Sequence, residues 1–181
     1  MSASGKLATL ADPVTALDNI AGPELARVIV VEYGDFECPT CAALEPAVRH
    51  LREMHAQSVR FVFRHFPLED AHPNALMAAE AAEAAAAQGR FWEMHDLLLQ
   101  NWRALGRRHL EEYALRLELD LERFRAELAE ELYRQRVREH QDGGRRSHLR
   151  ATPTFFVNGV VQDVSGGMRD LFAAIDVALA R

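Results

Sequence analysis

Cysteine is scarce in this 181-residue chain: there are two, Cys38 and Cys41. A bridge across so short a loop removes little entropy from the unfolded state, so the pair is no structural staple and its value must be chemical. Lysine is scarcer still. Lys6 is the one example, and the other basic residues are arginines, a coding bias that carries no function. Basic charge is also in deficit, with 21 Lys and Arg against 27 Asp and Glu and a formal net charge of -6. The summed field therefore repels phosphate backbones and anionic lipid, and nucleic acid is excluded as an expected partner. The local exception, Arg134 to Arg150, is interrupted by Glu139 and Asp142 and has no stacking aromatic beyond Tyr133, so it reads as a solvated helix face. No apolar run approaches the ~20 residues of a bilayer span. Residues 1–27 lack the basic start and continuous apolar core of a secretory leader, and a cytoplasmic location is expected.

What remains is a folding composition, 49% hydrophobic and 27% charged. Residues 1–27, broken by Pro13, Gly22 and Pro23, read as a loose arm with a short helical turn around Val14 to Ile20. Val28 to Tyr33 is a β-branched, nearly continuous apolar run, the pattern of a strand covered on both faces. From Pro39 to Ala56 the residues Ala42, Leu44, Ala47, Val48, Leu51 and Met54 recur at helical spacing, and Pro39 suits a first helical position. Val59 to His65 is a second strand, parallel to the first. From Pro73 to about Leu149 the pattern is helical: Asn74 to Gln88, Phe91 to Trp102, then two or three more helices reaching His140, with Asp142-Gly143-Gly144 as a cap and turn. Thr154 to Val157 returns to strand, and Asn158-Gly159 signals an antiparallel hairpin. A final helix from Met168 to Ala180 puts Leu171, Phe172, Ile175 and Leu179 on one face. The class is α/β: β-α-β and β-β-α halves sharing one sheet, over residues 28–181, with an all-helical insertion at about 73–149.

Cys38-Pro39-Thr40-Cys41 sets two thiols at a helix start. The amides and the positive end of the macrodipole stabilise an anion at Cys38, so its pKa should fall from ~8.5 toward the ~3.5–7 of such motifs. Cys41, one turn further in, lies within reach of a bond to it. Two readings compete with redox chemistry: half of a zinc site, for which His65, His72 or scattered histidines would have to supply the other half, and two inert buried thiols. Thr152-Pro153 precedes the second strand pair, where a cis bond would turn the chain sharply and present the backbone of Thr152 to a neighbour. Trp92, Met94, Leu97 and Leu98 read as core before groove, and His55, His95 and His109 as solvated or capping side chains.

The strings VIVVEYGDFECPTC, FVFRHFPL, HPNALMAAEAAEAAAAQGRFWEMHDLLLQN and TPTFFVNG together resemble the DsbA-like branch of the thioredoxin superfamily, including its soluble bacterial members and the thioredoxin-like domain of some sodium/proton antiporters. The resemblance runs from about Asn19 to the C-terminus. It implies a thioredoxin fold and a thiol:disulfide oxidoreductase in which Cys38 is the nucleophile and Cys41 the resolving thiol. Pro39 and Thr40 would support the active site, and Thr152 with cis-Pro153 would touch the substrate backbone. Glu32, six residues before Cys38, matches the family's buried acid that assists proton transfer to the second cysteine; its competing reading is a surface carboxylate at a strand end. Glu37 is expected to be exposed and to act only through its field. Thr40 stands where strongly oxidising members place histidine, so a cation is missing and an intermediate potential is expected. Clients would be polypeptide or small-molecule thiols and disulfides, served by a thioredoxin- or glutathione-type redox partner, with no organic cofactor or metal. A binding or chaperone module without turnover and a glutathione-transferase-like enzyme remain alternatives; the latter would not need Cys41.

Overall fold

A computed structural model describes residues 8–181. Asn19–Ala21 (β1), Val28–Gly34 (β2), helix Pro39–Met54 (α1) and Val59–His65 (β3) come first. β2 and β3 pair in parallel from Val28 opposite Val59 to Gly34 opposite His65, and α1 makes the crossover that parallel pairing requires. β1 pairs antiparallel with the outer edge of β3. The expected loose arm is thus, from residue 8 onward, fastened to the sheet, with Thr9 also bridged to Val160; its residues 1–7 lie outside the described ones. The reason is Arg64, a buried guanidinium on β3. It bonds the Asp18 carboxylate at 2.7 and 3.0 Å and the carbonyls of Asp12 and Pro13 at 3.0 and 2.8 Å. A segment that looks loose by composition supplies the acceptors that a buried cation must have.

Thr154–Val157 (β4) and Val160–Gln162 (β5) complete the five-stranded sheet in the order β1-β3-β2-β4-β5, with β4 antiparallel to β2. The expected hairpin joins them, with Asn158 and Gly159 at φ 46° and 80°, the left-handed pair that a tight two-residue turn needs. Alternation along β2 sends Val28 and Val30 toward α1 and the last helix, Arg169–Leu179 (α7), among Val48, Leu51, Leu171 and Ile175. Val31 and Tyr33 face the other layer, with Val62, Leu149 and Phe156. Glu32 shares the parity of Val28 and Val30 and so points beneath α1.

Between β3 and β4 run Ala75–Ala86 (α2), Phe91–Gln100 (α3), Arg107–Arg116 (α4), Leu121–Ala129 (α5) and Arg134–Arg146 (α6). Alanine lets α2 sit close to its neighbours: Ala78, Ala81, Ala82 and Ala85 are fully buried. Met94 and Leu98 are core as expected, in a cluster that also holds Phe36, Cys38 and Cys41, so the helical insertion packs directly onto the dithiol. His95 departs from the expectation of a solvated ring; it is fully buried against Phe63 and Phe36.

Asp142-Gly143-Gly144 is no cap, because α6 runs through it to Arg146. The glycines are there for approach distance. A Cβ on Gly143 would lie 2.5 Å from Asp12 Oδ2, and one on Gly144 would lie 2.6 Å from two ring carbons of Phe66. Gly144→Ala is therefore expected to lose about 1–3 kcal/mol to overpacking, although alanine is the better helix former by ~1 kcal/mol. A urea midpoint at or above the original would contradict this. Nor is the arginine stretch of α6 merely solvated. Arg134 reaches Glu80 at 3.3 Å, Arg136 reaches Glu83 at 2.6 Å, and Arg138 pairs with Glu69, while Arg145 and Arg146 do face solvent. Burial raises the Glu83 pKa, but His65, Arg136 and Asn19 overcome it and hold it down at about 2.

Candidate active site

The turn from β2 into α1 places the first sulfur. Cys38 is the N-cap of α1, with φ -78° and ψ 121°, and Pro39 occupies the first turn, where its missing N–H costs nothing. Asp35 builds the turn: its carboxylate accepts from the Glu37 amide at 2.8 Å, and its carbonyl accepts from the Cys38 amide at 3.2 Å. Both cysteines are free thiols, Cys38 6% and Cys41 3% exposed. The cis bond Thr152–Pro153 brings the Thr152 carbonyl to 3.5 Å from Cys38 Sγ. Five residues singled out in the sequence, Cys38, Pro39, Cys41, Thr152 and Pro153, thus lie together where β2 ends and β4 begins, in the middle of the sheet, with Thr40 exposed beside them.

The pKa values of the two sulfurs are driven in opposite directions. A hydrogen bond from the Cys41 thiol, opposed by burial and helped by Thr152 and the amides of Cys41 and Thr40, brings the Cys38 pKa down to about 5. The Thr152 hydroxyl is buried without a hydrogen-bond partner among the described residues. Cys41 goes the other way. Burial raises its pKa well above the ordinary value, and its bond to Cys38 and the charges of Cys38 and Glu32 add to the rise.

Glu32 is buried, 6% exposed, and not at the surface of a strand end. Burial lifts its pKa to about 8 against the opposing charge of Arg52. Sequence reasoning missed a second such acid. Glu45 lies one helical turn below Cys41 on α1, 3% exposed, with neither carboxylate oxygen bonded among the described residues. Its pKa is also about 8, through burial and the charges of Glu32 and Asp96, opposed by Arg52 and Arg49. The i, i+4 spacing from Cys41 was the signal available. Glu37 is half-buried rather than exposed, and its carboxylate grips Asn74 at the start of α2, N at 2.6 Å and Nδ2 at 2.7 Å. Groups with metal-ligand spacing exist at His65, Glu83 and His140 and at Glu45, His95 and Asp96; neither contains a cysteine, so the pair is not part of a clustered ligand set among the described residues.

A low-pKa thiol at a helix N-terminus, a buried partner thiol and a cis-proline loop on this sheet make up a dithiol site of the thioredoxin fold, equipped for thiol–disulfide exchange. The thioredoxin family model matches residues 15–177, and the chain belongs to that family. It is 52% identical over 163 residues to the Na(+)/H(+) antiporter NhaA 1 of Salinispora arenicola, covering 90% of this chain and 25% of that protein. It is 43% identical over 143 residues to the antiporter NhaA of Herminiimonas arsenicoxydans, 79% of this chain and 22% of that one. The chain thus spans about a quarter of these relatives' length. Among solved structures it is similar to oxidised BdbD from Bacillus subtilis, with a TM-score of 0.85, 22% identity, and 97% and 100% of the two chains covered. It is similar also to DsbA2 from Pseudomonas aeruginosa, with a TM-score of 0.70, 25% identity and 92% and 96% covered.

The cytoplasmic location expected from residues 1–27 is overturned by these likenesses, since DsbA-type enzymes are periplasmic or secreted. In a chain that spans about a quarter of these relatives' length, the composition of residues 1–27 is no basis for a location. Among the described residues, no helix is long and apolar enough to cross a membrane.

Proposed function

We propose that this domain exchanges disulfides with extended polypeptides or small thiols lying across Thr152 and Pro153. The observation that carries the reading is the division of labour between the sulfurs, Cys38 held near pKa 5 at the rim and Cys41 held protonated beneath it. Cys38 is then the attacking thiolate and leaving group, Cys41 the resolving thiol, and Glu32 the group that takes the Cys41 proton. Pro39 and Thr40 shape the turn. A cavity of about 470 Å³ lined by Thr40, Ala151 to Thr154 and Val161 to Ser165 flanks the pair and suits an extended chain. A thioredoxin- or glutathione-type system would reset the dithiol.

The test is alkylation of Cys38 against pH together with equilibration in glutathione buffers. Half-maximal reactivity is expected near pH 5, with a midpoint between about −250 and −180 mV. A sulfur that titrates near ~8.5 like a free thiol sinks the reading. The antiporter relatives favour a second reading, a module of the same fold that binds or regulates a transporter without turnover, and that reading predicts no exchange with glutathione.

A further inference from the structure

The sequence offers no cation beside Cys38, since Thr40 supplies a hydroxyl only. The fold brings one from elsewhere. His72, in the loop between β3 and α2, places Nδ1 2.7 Å from Asp35 Oδ2, and the Asp35 side chain is fully buried. The same Oδ2 accepts from the Leu68 amide at 2.8 Å. Asp35 therefore bonds the His72 ring through its carboxylate and the Cys38 amide through its carbonyl. On the other side Glu37, adjacent to Cys38, grips Asn74, two residues beyond His72. The segment His72-Pro73-Asn74 is clamped at both ends against the turn that carries the reactive sulfur.

We propose that His72 is a positioning residue for the Cys38 thiolate: paired with Asp35 from the β3–α2 loop, it neutralises the carboxylate that would otherwise repel the sulfur's negative charge. The charge bookkeeping is direct. With His72 protonated, the Asp35 carboxylate beside the turn is balanced and Glu37 is the one carboxylate charge left uncompensated near the sulfur. With His72 neutral, Asp35 and Glu37 are left as negative charges near a negative sulfur, and the thiolate is disfavoured. Burial opposes protonation of His72, but the Asp35 hydrogen bond and the charges of Asp35, Cys38 and Glu37 outweigh it and raise its pKa. On its own loop Glu69 is taken up by Arg138 of α6.

Linkage makes this testable in the unaltered protein, because whatever His72 does to Cys38, the Cys38 charge must do to His72 in equal measure. The full chain is titrated by NMR in its oxidised and reduced forms, with the His72 signal assigned by its loss in His72→Gln. The His72 pKa is expected to be higher in the reduced form, where the thiolate is present. Equal values in the two forms overturn the proposal. In His72→Gln, which keeps a donor for Asp35 but no charge, the thiolate absorbance should titrate about one unit higher. The equilibrium with glutathione should shift about tenfold toward the disulfide, about 30 mV, and His72→Lys should restore both. A variant that folds and keeps the original titration overturns the proposal as well, and if His72→Gln does not fold, assignment by exclusion among the remaining histidines lets the wild-type titration decide. The inference rests on the dithiol being redox-active, and the two failures look different. A protein that never equilibrates with glutathione defeats the exchange reading itself, whereas one that equilibrates with an indifferent His72 defeats only this step.

Discussion

Replacing Cys41 with serine is expected to stop turnover while leaving Cys38 able to capture a client as a stable mixed disulfide. In the reducing direction the Cys38 thiolate attacks one sulfur of a client disulfide, forming a Cys38–client bond and releasing the other client sulfur as a thiolate. Cys41 then loses its proton and attacks the Cys38 sulfur, the Cys38–Cys41 bond forms, and the client leaves with the electron pair of the broken bond. Serine cannot perform the second step, so resolution must wait for a thiol from solution. Losing an intramolecular partner one turn away is expected to slow turnover about 100-fold or more. Serine does keep a hydroxyl that can donate where the Cys41 thiol donated, the leading contribution to the depressed Cys38 pKa, so the first step survives and the adduct accumulates. Mass spectrometry of the variant after exposure to a disulfide peptide checks this. Full activity in Cys41→Ser would instead point to a transferase that uses a single thiol.

The order of strands and helices was legible because the hydrophobic periods are strong: β2 is nearly continuous in apolar residues, β3 sets Val59, Phe61 and Phe63 on one face, and Asn158-Gly159 permits few turns other than the one observed. The errors fall where a long-range partner overrides local chemistry. Residues 8–21 are polar and interrupted, yet a guanidinium 46 residues from Asp18 holds them against the sheet. Gly143 and Gly144 look like a stop signal, but Tyr33 and Phe66 need the space. His95 looks like an exposed helical histidine until Phe36 and Phe63 close over it. At the site, the spacing of C-P-T-C located both sulfurs without any structure, because the motif is local. Glu45 and Asp35 were not singled out, and His72 was read only as a candidate zinc ligand, because their significance comes from what the β3–α2 loop and α1 place beside them.

Glu32→Gln is expected to stabilise the protein and slow it, and both effects depend on pH in a defined direction. The carboxyl has an ordinary value of 4.5 and stands at about 8 in the folded state, so the folded protein holds a proton that the unfolded chain gives up. Its contribution is fully present below pH 4.5 and is lost as pH rises through 8, at ~1.4 kcal/mol per unit. The wild-type protein should therefore lose up to about 5 kcal/mol from this group across that window, while glutamine, which has no proton to lose, should not. The stability difference in urea should be near zero at pH 4.5, grow to pH 8 and stay level above it. Because the Glu32 charge also raises the pKa of Glu45, the variant should show Glu45 titrating lower, which adds to the gain at high pH. In exchange, the acceptor for the Cys41 proton is gone. Resolution of the mixed disulfide is expected to slow about 100-fold, and its rate should lose the inflection near pH 8. A stabilised variant that resolves its mixed disulfide at the original rate would mean that the Cys41 proton leaves by another path, and Glu45, one turn below the sulfur, is the group then to be replaced.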